Sequence, residues 1–592
     1  MSKLFASLGC AACLAAASVH AGTADDAAAR FHAIYTQEWS WRQQQFQGLD
    51  DEDSQGAPSD HLPRVDAATQ SARERYWTEV LERLDAIKPA ELHGEEAVNY
   101  AVYRFQIETL LAEQHFRTWE MPFNSDSGFW SDLGFTARAH YAQPKEYQDY
   151  IGKLRDIPRY FAEETDNMRL GLARGFSQPK VILQGRTQSI SDVIDAPGES
   201  NLFYTPFKQM PASIPAAEQA TLRADALAAI KDAVIPAYAK LLRFMQDEYI
   251  PRARTGIAAE DLPDGKAFYQ AQIREYTTLD MSPDAIHQLG LEQMAIIHRQ
   301  MLDTITLAGF KGSFADFLHF LRTDSRFYAR TPEELLKDAA WIAKQVDGKV
   351  GDYIGRLPRR RFAIEPVPPD LAPIYTGGRG GPGIYLVNTY NLPSRPLYSL
   401  PALTLHESSP GHALQMPLAA EMEGLPDFRR YSYISAYGEG WALYCEYLGQ
   451  EMGIYHTPYE QFGYLSYQAW RAARLVVDTG IHHLHWTRAQ AQDYLRENTA
   501  LADHEIETEV DRYIAWPGQA LSYYLGEMAI RQDRARAEQA LGTKFDIRAF
   551  HDAVLSTGSV PLPVLNERID RFIDDGGKSP YADDGHCDCK SP

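Results

Sequence analysis

The sequence predicts a mainly α-helical protein with a small β-sheet. Apolar residues recur at helical spacing over long runs: Leu227, Ile230, Val234, Tyr238, Leu241 and Met245 step by three or four within 216–249. Helix starts are spelled out repeatedly. Ser282-Pro283, Thr331-Pro332 and Thr457-Pro458 each set a capping hydroxyl before a proline, whose missing N–H is harmless at the first helical position. Strand chemistry is confined to Gly383-Ile-Tyr-Leu-Val-Asn-Thr389, rich in β-branched and aromatic residues.

The elements follow in order. Residues 25 to about 110 read as helical, with Phe31, Tyr35, Trp39 and Trp41 as their aromatic anchors. Residues 110–215 alternate helical runs with loops, and Asn124-Ser-Asp-Ser-Gly128 is a clear break. The 216–249 pattern contains Pro236, which should kink it, because proline lacks an N–H and its ring clashes with the preceding turn. Val367 to Pro382 is dense in Pro and Gly and reads as loop. After the strand, Leu400 to His406 opens a helix, with further helices over Glu439–Gly449, Tyr459–Gly480 and Glu505–Ile514; Thr487-x-x-Gln490 has the form of a capping box. A division near residue 370 separates a mostly helical region, 22–370, from a second region, 371–577, that carries the polar motifs.

The chain has 592 residues and 45% hydrophobic content, enough for a large core or two to three smaller ones. Its formal charge of −22 argues against nucleic acid or an anionic membrane as the main partner. The first 21 residues have the form of an export signal: Lys3, an apolar run from Leu4 to Val19, then Val19-His20-Ala21 before Gly22. That run is too short and too rich in Ala and Ser for a membrane span, and no later stretch reads as one. Ser7-Leu8-Gly9 before Cys10 resembles a lipoprotein cleavage box only weakly, so a periplasmic or secreted protein is expected ahead of a lipid-anchored one. Cys445, Cys587 and Cys589 would survive cleavage, too few for a disulfide framework. The tail 578–592, with His586-Cys-Asp-Cys589, lies past the last helical pattern and reads as a disordered end.

The chemistry concentrates at His406-Glu-Ser-Ser-Pro-Gly-His412, followed 27 residues later by Glu439-Gly-Trp-Ala-Leu-Tyr-Cys-Glu446. Neutral imidazoles and a carboxylate are the donor set of a catalytic zinc site, and a glutamate beside the first histidine can take a proton from water. His406, His412 and Glu439 are therefore the candidate metal ligands and Glu407 the candidate general base. Zinc is the expected ion, although manganese, iron or cobalt can occupy similar ligands. Two histidines four apart share a helix face, but these are six apart, which at 100° per residue leaves them about 120° out of register. Ser409-Pro410-Gly411 must therefore kink the chain. Glu446 lies seven residues after Glu439, two turns along one helix face. It is expected to support a ligand from behind, with ligation by Glu446 in place of Glu439 as the alternative. A lone histidine is more often a hydrogen-bonded core residue, and the lesser alternative for Glu439 is an acid favoured at a helix N-terminus.

Four motifs together, H-E-S-S-P-G-H-A-L-Q from His406, E-G-W-A-L-Y-C-E from Glu439, R-L-V-V-D-T-G-I-H from Arg474 and E-V-D-R-Y-I-A-W-P-G-Q-A-L-S-Y from Glu509, resemble the bacterial family of domain of unknown function 885 over most of the chain. That family in turn resembles the helical zinc peptidases of the thimet oligopeptidase, neurolysin and carboxypeptidase Taq type. Those use H-E-x-x-H plus a downstream Glu, and this chain carries two extra residues in the first motif. The resemblance implies a large helical zincin-like fold with its small sheet beside the metal-site helix, and a tyrosine hydroxyl steadying the tetrahedral intermediate, Tyr523 ahead of Tyr513.

The remaining candidates have defined physical roles. Asp478 and His482, four apart, could pair, with Asp478 orienting a ligand or His482, and His482 donating to a developing oxyanion. Arg474 and Arg512 could hold a substrate carboxylate, or form structural salt bridges, for instance with Glu509. Tyr513 and Asn388 complete the expected substrate contacts, Asn388 through its amide at the strand and Arg379 from the Gly377-Gly-Arg-Gly-Gly381 loop. The expected function is an exported zinc-dependent metallopeptidase for short peptides. An amidase or esterase on a non-peptide substrate and a non-catalytic periplasmic binding protein are the rival expectations.

Overall fold

The computed structural model describes residues 9–49, 58–125, 127–369 and 371–581. Residues 1–8 of the expected export signal and 582–592 of the expected tail, including His586, Cys587 and Cys589, lie outside the described residues. Among the described residues no helix is long and apolar enough to cross a membrane.

Helices dominate. The 216–249 pattern forms α1 (Ala216–Ala229) and α2 (Ile235–Phe244), joined by a π-helical turn over Ile230–Val234. A second π turn, Met245–Tyr249, precedes Pro251. The kink expected at Pro236 is thus a widened turn just ahead of the proline, which relieves its ring clash while the helix runs on. Next come α3 (Gly265–Thr277) and α4 (Pro283–Leu307), the latter capped by Ser282 as its Ser-Pro start demands.

The sheet has three strands, β1 (Ala363–Pro366), β2 (Gly378–Gly381) and β3 (Ile384–Val387), in the order β1-β3-β2. β3 pairs parallel with β1 and antiparallel with β2. β3 is the expected strand. β2 corrects the expectation of continuous loop over 367–382: its glycines have little strand preference, but a tight turn at Pro382-Gly383 folds them back onto the apolar β3.

After the sheet the chain forms α5 (Leu400–Glu407), α6 (His412–Ala420), α7 (Ser435–Glu451), α8 (Pro458–His482), α9 (Asp503–Ala515) and α10 (Ser522–Leu541). α8 is the central post. Every residue from Phe462 to His482 is buried, its apolar residues in the core and its polar ones, such as Arg471, Arg474 and Asp478, paired within it. α4 packs along it so closely that a β-carbon on Gly290 would collide with Leu475 and Val476. α7 and α10 meet face to face through glycines. A β-carbon on Gly526 would overlap the Ala436 carbonyl and the Gly440 backbone, and one on Gly440 would overlap Gly526.

The two sides of residue 370 do not hold separate cores. One apolar cluster runs from Leu62 through α1, α2 and α4 to α8 and α10, and another joins Phe31 and Trp77 to Trp441, Tyr444 and Phe550. Cys445 is buried and free.

Replacing Gly526 with alanine should force α7 and α10 apart and destabilise the protein by about 1–3 kcal/mol, the usual cost of overpacking a rigid contact. A lowered urea midpoint measures it; an unchanged midpoint would show that the contact yields freely.

Candidate metal centre

The motif helix stops where the sequence requires a kink. α5 ends at Glu407, the Ser409–Pro410 peptide is cis, and a new helix, α6, begins at His412. The turn is tied down from both sides: Gly411 N–H donates to Leu405 O at 3.1 Å, and Trp441 Nε1 of α7 donates to Pro410 O at 2.8 Å. The two histidines therefore sit on different helices. Their rings lie 4.9 Å apart between centroids and nearly perpendicular, at 84°.

Glu439 of α7 reaches into the gap. Its Oε2 is 3.4 Å from His406 Nε2 and 3.3 Å from His412 Nε2. Among the described residues His406, His412 and Glu439 form the group whose donor atoms lie within 4.8 Å of one another. Glu446, two turns on, accepts from His406 Nδ1 at 2.8 Å. Glu439 thus meets the Nε2 side, where both imidazoles converge, and Glu446 meets Nδ1 on the opposite side of the His406 ring. Arg471 of α8 pairs with Glu446 at 3.3 Å.

These groups fit a zinc ion. Donors about 2.0–2.1 Å from a common centre in tetrahedral array lie about 3.3–3.4 Å apart. The two imidazole–carboxylate distances match that spacing and exceed ordinary N–H···O hydrogen bonds. The electrostatics agree. Burial disfavours a cationic His406, yet Glu439, Glu446 and Glu407 outweigh it and push its pKa up to about 10. Burial likewise opposes ionisation of Glu439, but His412 and His406 hold its carboxyl well below the usual range. A buried pocket of two imidazoles among three carboxylates attracts positive charge.

Glu407 closes another side of the site. Its Oε2 accepts from Gly380 N–H of β2 at 2.6 Å. β2 lies so close over α5 that a β-carbon on Gly380 would strike the Glu407 backbone, which explains the glycine at this strand position. Tyr385 of β3 contacts Thr404 of α5 at 3.4 Å, holding the sheet beside the motif helix. Arg379 is exposed on β2, with the carboxylates of Glu407 and Glu439 among its electrostatic neighbours.

Tyr523 of α10 lies over the site, its ring 6.3 Å from that of His406 and tilted by 19°. Arg474 stacks on the Tyr523 ring at 4.2 Å. The Tyr523 hydroxyl accepts from Arg512 Nη2 at 3.0 Å and Gln519 Nε2 at 3.4 Å. With its oxygen receiving two donors, the hydroxyl hydrogen is the hydrogen-bonding group this phenol still has to offer.

Other expected site residues are placed elsewhere. His482 is fully buried, with Nδ1 accepting from Ala259 N–H at 3.0 Å and Nε2 donating to Tyr513 O at 2.9 Å. Both ring nitrogens serve the backbone, so His482 has no proton for an oxyanion, and burial pushes its pKa down to about 3. Asp478 orients neither a ligand nor His482. It accepts from Tyr269 Oη at 2.6 Å and Gly518 N–H at 3.2 Å, fixing the Trp516-Pro517-Gly518 break. Asn388 spends its amide on Ala372 O, Tyr375 O and Thr376 O, each at 3.0 Å, and so locks the loop before β2 instead of contacting substrate. Tyr513 Oη accepts from Trp470 Nε1 and Arg474 Nε within the core, and Arg474 pairs with Glu509 at 2.9 Å. Arg474 thus takes the structural role. Arg512 serves Gln519 and Tyr523. Residue type and spacing mark such positions but say nothing of which neighbour consumes a polar group.

The residues missed by sequence reasoning include Gly380, Arg471 and Tyr433, whose hydroxyl donates to Glu439 Oε1 at 3.1 Å. Arg471 precedes Arg474 by one helical turn, a signal of shared face; the others carry no local signal.

The family model described as bacterial protein of unknown function (DUF885) matches residues 43–569. The chain belongs to this family. No curated protein matches it. Among solved structures, the DUF885 chain is similar to one described as "the putative lipoprotein from Colwellia psychrerythraea", with 27% identity and a TM-score of 0.85, covering 93% of this chain and 99% of that one. It shares its fold with "a putative lipoprotein of unknown function from Shewanella oneidensis", at 17% identity, a TM-score of 0.62 and the same coverage.

His482→Asn should cost about 1–3 kcal/mol for the stranded backbone groups, because the side chain serves the scaffold. The sign of its pH effect follows from the depressed pKa: the unfolded chain protonates His482 below its ordinary value of 6.5 and the folded one does not, so the wild type loses stability as pH falls from 6.5 toward 3. The variant should show a shallower loss in that window by denaturant titration.

Proposed function

We propose that this DUF885 protein is an exported zinc-dependent hydrolase acting on short peptides. The observation that carries this reading is the convergence of His406 Nε2 and His412 Nε2 on Glu439 Oε2 at 3.4 and 3.3 Å, beside a second carboxylate, Glu407, which accepts from Gly380 N–H. Export is supported by the N-terminal sequence pattern and by the description of the Colwellia relative as a lipoprotein.

His406, His412 and Glu439 would hold the ion, with Glu446 fixing the His406 tautomer through Nδ1. When bound, zinc supplies the Lewis acidity that makes water acidic and a carbonyl electrophilic near neutral pH. The rest is done by the chain. Glu407 takes the proton of the attacking water and returns it to the leaving amine; the Gly380 N–H keeps one of its oxygens fixed, so the other does the transfer. Tyr523 donates its hydroxyl proton to the carbonyl oxygen as negative charge builds there, its own oxygen held by Arg512 and Gln519. β2 is an edge strand directly over Glu407, and an extended peptide laid along it would bring its carbonyl to the site. The preference for short peptides rests on the resemblance to the helical oligopeptidases.

Metal analysis and a panel of short peptides, with esters and non-peptide amides alongside, test the reading. Glu407→Gln should keep zinc and lose turnover by about 10²- to 10⁴-fold, whereas His406→Ala should lose the metal itself. Retained peptidase activity in the Glu407 variant would overturn the mechanism. Tyr523→Phe should lower kcat by about 10²- to 10³-fold with KM little changed; a change confined to KM would remove Tyr523 from the chemistry.

A further inference from the structure

The two oxygens of Glu439 have different partners. Oε2 faces both imidazoles, and Oε1 accepts the hydroxyl proton of Tyr433 at 3.1 Å. Tyr433 precedes α7 and comes in from outside the helix that carries Glu439. Its ring lies 6.4 Å from the His412 ring, at 58°. It is seated there by the neighbouring Gly438: a β-carbon at that position would overlap the Tyr433 ring carbons and hydroxyl. The residue before Glu439 is therefore small because the tyrosine occupies its side-chain space.

We propose that Tyr433 is a positioning residue that makes Glu439 a one-oxygen ligand. A carboxylate with both oxygens free can grip a cation with both. With Oε1 held by a phenol, Glu439 offers Oε2 alone, and the ion keeps a coordination position for water or substrate. That open position separates a catalytic site from a closed structural one. The same hydrogen bond sets the Glu439 side-chain torsion, so Oε2 is aimed before any cation arrives and little rotamer freedom is lost on binding. Gly438 completes the device by leaving room for the ring. The inference rests on the metal-site reading above and is independent of which substrate is cleaved.

The test uses the full protein with Tyr433→Phe and Gly438→Ala, and the metals alone as probes. Zinc affinity is read by competition with a chromophoric chelator, and ligand geometry from the visible absorption of the cobalt(II)-loaded protein. Tyr433→Phe retains the packed ring, so its thermal unfolding should match the wild type. It should bind zinc about 10- to 100-fold more weakly, and its cobalt bands should lose intensity as Glu439 swings to two-oxygen binding and the coordination number rises. Gly438→Ala, which pushes the ring away, should reproduce the same spectral change. Wild-type zinc affinity, within about twofold, together with an unchanged cobalt spectrum in Tyr433→Phe, would overturn the proposal. Failure of the wild type itself to take up zinc would instead remove the metal-site reading on which it stands. Full zinc binding with loss of peptidase activity in every protein tested would strike only the choice of substrate.

Discussion

Both ring nitrogens of His406 face carboxylates of a single helix: Nδ1 donates to Glu446 at 2.8 Å, and Nε2 lies 3.4 Å from Glu439. This pairing constrains the rest of the molecule. Two residues seven apart span about 10.5 Å along a helix axis, so one imidazole can lie between them only if α7 runs directly alongside the end of α5. The glycine contact between α7 and α10 and the Trp441 hydrogen bond to Pro410 maintain that approach. His412 then follows, because the same tryptophan contact fixes the turn that launches α6. A cluster of candidate ligands drawn from three helices is thereby organised around one buried ring.

Behind the pairing lies a second layer of buried charge. Arg471 neutralises part of the Glu446 charge, and Arg474, one turn further along α8, is enclosed by Glu509, Tyr513, Trp470 and Tyr523. Such pairs return little net stability once desolvation is counted, but removing one member strands the other. Their value here is geometric. Arg474 fixes the Tyr523 ring from one face, and Arg512 fixes its hydroxyl, so the phenol sits over His406 in one orientation. Asp478 and His482 act at a further remove, pinning the 516–518 break and the start of α3 to the central helix.

Much of this was legible in the chain and part of it was not, for identifiable reasons. The capped helices at Ser282, Thr331, Thr457 and Thr487 formed as their local chemistry requires, since each cap is complete within four residues. The strand Ile384–Val387 was equally local, whereas β1 and β2 exist only through pairing with it. Asn388, Asp478 and His482 carry the side chains of an active site, yet each is fully engaged by backbone or by a tyrosine arriving from a distant segment. Spacing reports which residues share a face; it does not report what packs on that face.

The sequence by itself determined the helical class, the kink between the two histidines, the pairing of Glu439 and Glu446 on one face, and the family. These depend on backbone sterics and helical period, which act over a few residues and leave their mark in residue order. Only the tertiary structure decided which acid meets which nitrogen of His406, that a glycine strand covers Glu407, and that Tyr433 takes one oxygen of Glu439. Those outcomes arise where segments far apart in the chain compete for the same hydrogen bonds in a buried space, and close packing there settles each partner.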